Sequence, residues 1–291
     1  MIAGAAIAAC GGSSGAATSA THLLSQTFTA NLGKIHSGEL ALTIRADLDG
    51  IKRLGGKPLE LQLSGPFTER VGSATAFDFS ATVSLAGSTL PVALLSTGRA
   101  VYLEFGGTYY ALPASVESAF AKELQSSSAS GGSANVLTKL GINPLSWLTS
   151  PKLVGRTPVA GVETDHLTAQ LDVASLLGDL SKLMSRSGAV AGSRSLAKAL
   201  TPTSLAEVAT AVTSTRVAVY SGVGDHILRE FSAALTFAIP AAAQPAMGGL
   251  TGGSIDLDAT IANLNAPETI TPPSSSQPFR DLLGGGGLPS L

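Results

Sequence analysis

The chain has 291 residues, 44% of them apolar and only 13% charged, with a net charge of −2 and a single cysteine. It is long enough to bury a sizeable core as one large domain or two ordinary ones, and its lone Cys10 excludes an intramolecular disulfide. No basic stripe supplies the phosphate-neutralising footprint that nucleic-acid binding needs, and no apolar run after residue 10 reaches the roughly 18 residues that span a bilayer.

Residues 1–9 (MIAGAAIAA) form a short apolar leader that ends at Cys10, as the remnant of a signal peptide would. Residues 10–20 read as that cysteine and a flexible Gly/Ser/Ala tether, about 17 Å end to end as a coil. From Thr21 to Leu32 a short helix is expected, with Thr21 as N-cap and Leu24 and Phe28 on one face. The period then changes from helix to strand. Leu40, Leu42, Ile44, Ala46 and Leu48 alternate with polar residues. Leu59, Leu61 and Leu63 do the same, as do Phe77, Phe79, Ala81, Val83 and Leu85. Leu90–Leu95 and Val101, Leu103 and Phe105 continue the series, with turns expected at 55–56, 87–88 and 106–107.

A helical block follows at Ala114–Gln125, then a small-residue loop at 126–134 and an apolar turn around Trp147. Strands return at Lys152–Val154 and Gly161–Val173, the latter with Leu167, Ala169, Leu171 and Val173 in alternation. Helices are expected at Leu176–Met184 and Thr203–Val212. Three strands then close the domain: Arg216–Ser221, Ile227–Ile239 with Phe231, Leu235 and Phe237, and Ile255–Ile261. From residue 266 to 291 the Pro/Ser/Gly-rich composition reads as a disordered tail. About nine strands and four helices, inserted between runs of strands, mean α+β with a large antiparallel sheet and helices on one face. One folded domain is expected over residues 21–265, as a monomer.

Chemistry leaves few marks. His22, His36, His166 and His226 are isolated, without the clustered spacing of a zinc site, and no phosphate-binding glycine motif is present. Asp165-His166 and Asp225-His226 are adjacent pairs, and neighbours on a strand point to opposite faces, so neither makes a relay alone. No catalytic residue, metal or cofactor is assigned. The alternating apolar residues suit a filled core and an acyl-chain cavity equally, since both need apolar inward side chains; the small inward Ala46, Ala81, Ala169, Ala233 and Ala259 leave room for a cavity.

Three stretches resemble known families. Ile7-Ala8-Ala9-Cys10 before Gly11-Gly12 resembles the lipobox of bacterial lipoproteins, with Ile7 where Leu is usual and no Lys or Arg ahead of it. The resemblance implies a diacylglycerol on Cys10 and a chain anchored to the extracytoplasmic face of the cell membrane. Val154-Gly155-Arg156-Thr157-Pro158-Val159-Ala160-Gly161-Val162-Glu163-Thr164-Asp165-His166-Leu167 resembles the hairpin of the LppX/LprG family of actinobacterial lipoproteins, related to LolA/LolB carriers. Ser37–Leu42 resembles that family's first strand, whereas Val217-Ala218-Val219-Tyr220 keeps a strand but has no Trp where the family's aromatic-bearing strand is expected. Over residues 20–265 the resemblance implies a half-barrel sheet wrapped over helices around a hydrophobic cavity, and a non-enzymatic role in binding or moving lipids or lipoglycans. Leu40, Leu42, Ile44, Leu61, Phe77, Phe79, Val83, Val101, Leu103, Leu167, Leu171, Phe231, Leu235 and Phe237 are the candidate lining residues. A structural or adaptor lipoprotein with a filled core and an envelope hydrolase are the alternatives.

Overall fold

A computed structural model describes residues 13–30, 34–69, 75–113, 144–176, 178, 210–245 and 248–284. The period-two segments become one sheet of twelve strands. β1 (Ser37–Asp49), β2 (Leu59–Thr68), β3 (Ala76–Leu85), β4 (Ser88–Ser96), β5 (Val101–Phe105) and β6 (Thr108–Ala111) form one meander. β7 (Leu148–Val159), β8 (Val162–Leu171), β9 (Val212–Gly222), β10 (Leu228–Ala238) and β11 (Gly252–Ala262) form a second. β1 and β11 pair antiparallel and join the two, giving the order β12-β6-β5-β4-β3-β2-β1-β11-β10-β9-β8-β7. Only β12 (Gln277–Pro278) runs parallel to its neighbour, β6.

The hairpins turn where the glycines predict. Ala86-Gly87, Gly106-Gly107 and Ala160-Gly161 all have positive φ at both central positions, the geometry whose twist matches flanking strands. β7 is longer than the expected Lys152–Val154. Pro151 and Pro158 interrupt the sequence pattern, but β7 is an edge strand with two register shifts, and an edge tolerates proline.

Two expectations at the ends of the chain are corrected. The stretch read as tether is helical from Ser13: α1 spans Ser13–Ser25 and continues as a π-helical turn, Gln26–Ala30. Ala20, Leu23 and Leu24 are buried against Leu167, Ala169, Val217 and Val219, and this packing overrides the weak helix signal of Gly, Ser and Thr. The segment read as a disordered tail also packs. Ile270 is buried with Ala76 and Leu95, beside Tyr102 and Tyr109, β12 extends the sheet, and α2 (Phe279–Gly284) buries Leu282. Two apolar anchors and an open sheet edge offset the disordering composition.

The expected helix at Ala114–Gln125 and the loop at 126–134 lie outside the described residues, as does most of the expected helices at Leu176–Met184 and Thr203–Val212. Val212 itself opens β9. Among the described residues, no helix is long and apolar enough to cross a membrane.

Candidate functional site: the inner face of the sheet

Directly opposed residues on antiparallel strands share a face. The register therefore draws rows across the sheet. One row runs Phe105, Val92, Ala81, Leu63, Leu42, Ala259, Phe231, Val219, Leu167, Leu153, one apolar residue from each of ten strands. The next runs Leu90, Val83, Leu61, Ile44, Leu257, Ala233, Val217, Ala169. α1 lies on this face, which we call inner.

The register places all fourteen candidate residues on it. Leu42, Phe231 and Leu167 belong to the first row, and Ile44, Leu61 and Val83 to the second. Leu40, Phe79 and Leu103 lie in a row toward the β1 start, with Phe77 and Val101 beyond them. Leu171, Leu235 and Phe237 lie toward the opposite end, where Leu171 N–H donates to Thr215 Oγ1.

Their surroundings differ. Leu167, Val217 and Val219 are fully buried under α1, where Phe28 meets Phe231 edge-on at 6.3 Å. Thr27 Oγ1 donates to Leu23 O and shares a 2.7 Å hydrogen bond with the buried Ser221 hydroxyl, which pins the end of the helix. Leu167 is thus a packing residue, a correction to its place among candidate lining residues. Across β1–β3 the same rows are only half-buried, and Val83 is 39% exposed. Phe77 and Phe79 stack at 4.8 Å near the other end of β3. A cavity of about 580 Å³ opens at the ends of β8 and β9, lined by Gln170–Ala174 and Val212–Thr215; of the fourteen candidates only Leu171 reaches it. The sequence pattern did not single out Asp172, Thr213 or Ser214 there, because they sit at strand ends where alternation stops.

The Asp–His pairs are separated by the fold. Asp165 faces inward and pairs with Arg156 at 3.3 Å, while His166 stacks on Tyr220 at 4.5 Å on the outer face. Asp225-His226 lies not on a strand but in the β9–β10 turn, with His226 at φ 52°. There Asp225 accepts from Ile227 N–H and from Arg229 at 2.6 Å. Burial pushes the Asp225 carboxyl up, but those two donors outweigh it and hold it below the usual carboxylate range. On the outer face, burial and the neighbouring Asp258 push Glu230 up, partly offset by His166. Among the described residues, no group of three or more His, Cys, Asp or Glu is placed to hold a metal ion.

No protein-family model and no curated protein matches the chain. Among solved structures, it is similar to LprF from Mycobacterium bovis, at 16% identity and a TM-score of 0.48, over 89% of this chain and 98% of that one. It is also similar to the lipoprotein LppX from Mycobacterium tuberculosis, at 15% identity and a TM-score of 0.42, over 87% of this chain and 99% of that one. The fold class is the expected α+β arrangement with one large, almost wholly antiparallel sheet. Both neighbours are lipoproteins of the family that the hairpin Val154–Leu167 resembles.

Proposed function

We propose that this protein is a cell-envelope lipoprotein, anchored through an acylated Cys10, that binds acyl-chain lipid against the inner face of its sheet and performs no catalysis. One observation carries the reading: the two central apolar rows continue unbroken across the sheet, yet among the described residues they are fully buried only under α1 and stay half-buried over β1–β3, while Phe77 and Val101 beyond them are buried. Exposed apolar surface of that continuity marks a binding face. Each acyl methylene laid on it contributes about 0.8 kcal/mol, so a dozen give about 10 kcal/mol before ordering costs. No strong polar recognition is needed. The cavity at the ends of β8 and β9 exceeds the ~300 Å³ minimum of a ligand pocket, but Gln170, Asp172, Thr213, Ser214 and Thr215 line it, so the apolar inner face and not this cavity carries the reading. The hydrolase alternative gains nothing from Asp165 and Asp225, whose carboxylates are engaged by arginines.

Native mass spectrometry of the full chain, purified from the membranes of its own cells, tests the reading. Lipid adducts that are released by organic extraction are expected. A clean apo mass would overturn it. For the anchor, acyl labelling is expected to vanish in Cys10→Ser, and equal labelling would exclude Cys10 as the acylated residue.

A further inference from the structure

One end of the sheet is chemically unlike the other. Where β1 ends at Asp49 and β2 begins at Leu59, the connecting residues 50–58 (GIKRLGGKP) hold Lys52, Arg53 and Lys57 and no acid. All three cations are exposed, and none is in an ion pair among the described residues. The loop is a fixed platform: Lys52–Leu54 forms a 3-10 turn closed by the Gly55 N–H on Lys52 O, and Leu54 is buried beneath it.

Lys57 lies across Gly87 so closely that a Cβ there would come within 2.2 Å of its Nζ. The third cation is thereby held beside the β3–β4 turn. On the inner face below that turn, Leu85 and Val83 are 38% and 39% exposed. The neighbouring connection, residues 240–250, is tied to β1 by the Thr251 N–H on Asp49 O; its residues carry no charge, and Pro240, Ala241, Ala242 and Pro245 are exposed. Of the acids at this end, Asp47 and Glu60 hold Arg45, with Asp256 opposite it, and Asp172 in the cavity lining is bonded to Ser175, which leaves Asp49 at the base of the loop. The opposite end carries the acids Glu39, Glu69, Glu163 and Asp225 among its arginines. The 580 Å³ cavity opens at the cationic end.

We propose that this end docks on an anionic lipid bilayer. Cations on a rigid loop, bordered by exposed apolar side chains and an uncharged loop, match the chemistry of an interface where anionic headgroups overlie acyl chains. Each Lys or Arg held near such a surface strengthens binding about five-fold, so the three together contribute about 100-fold. Docking this way sets the cavity mouth beside the bilayer, with the strands running away from it. The inference deepens the lipoprotein reading, and the two fail separately.

The test uses the full chain carrying Cys10→Ser, so that no covalent lipid contributes. Co-sedimentation compares vesicles of phosphatidylcholine alone with vesicles in which roughly a third of the lipid is phosphatidylglycerol. Binding is expected only to the anionic vesicles, weakening as salt screens the charges. It is expected to fall about 100-fold in K52Q/R53Q/K57Q, and several-fold in Leu85→Ser with the cations intact. Acyl-chain retention by the triple variant is expected to be unchanged. Equal binding to neutral vesicles, no binding to anionic ones, or full binding by the triple variant would overturn the proposal. So would soluble poly-glutamate binding as tightly as the vesicles, which would point to an acidic protein partner.

Discussion

The two halves of the sheet share one strand pattern and differ in what lies on it. Under α1, the β8–β10 half buries Leu167, Val217 and Val219 completely, and Thr27 and Ser221 close the seam with a hydroxyl pair. Over β1–β3, residues of the same rows, Leu42, Ile44, Leu61 and Val83, stay half-buried or exposed. Register makes the two continuous, since Leu42 stands opposite Ala259 and Phe231 stands opposite both Ala259 and Val219. Alternation therefore says which side chains face together. It does not say whether a helix, a ligand or water meets them.

Substitutions break this contrast at different points. The largest effect is expected in the covered half: Leu167→Ala leaves a cavity under α1 and should cost about 3 kcal/mol in urea unfolding. A loss below about 1 kcal/mol would mean that α1 does not hold the core there. Next comes the C-terminal strap. Ile270→Ala should cost about 2 kcal/mol, whereas a strap detached in solution would leave the unfolding midpoint unchanged.

The carboxyls give effects of opposite sign. Asp225, held below the usual range, contributes stability that is present above about pH 4 and is lost as pH falls through its lowered value. Arg229→Gln should flatten that acid-side loss in a melting profile. Glu230 is raised, so its contribution is present below about pH 4 and is lost as pH rises through its folded value. Glu230→Gln should remove the decline on that side, and an unaltered profile would mean that the carboxyl is not held up in solution. The smallest stability effect belongs to the open half. Val83→Ser should shift stability by less than about 0.5 kcal/mol, and a larger loss would place Val83 in a packed core.

Much of this was legible in the sequence. Period-two alternation marked most of the longer strands, and Gly87 and Gly107 marked tight turns, because side-chain direction and positive φ are local properties. The common face of the fourteen candidates followed from the same alternation. What covers that face did not, because coverage depends on contacts between distant segments: Leu23 on Val219, Ile270 on Leu95. Composition misled at both ends for this reason. Residues 13–20 and 266–284 are rich in small and turn-forming residues, yet a few anchors, Ala20, Ile270 and Leu282, are enough to seat them. The cationic end was hidden in another way, since Lys57 meets Gly87 only when the β1–β2 loop folds against the β3–β4 turn.

The proposed function places acyl chains on the open half of the inner face. Binding of a fluorescent fatty acid to the delipidated full chain tests it most directly, with Leu61→Asp/Val83→Asp compared against Gln62→Asp/Thr82→Asp, the adjacent pair on the outer face. The wild type and the outer-face variant are expected to bind alike, and the inner-face variant to lose at least ten-fold in affinity, as burying a charge among acyl chains requires. Equal binding by all three proteins, or none by the wild type, would contradict the proposed function.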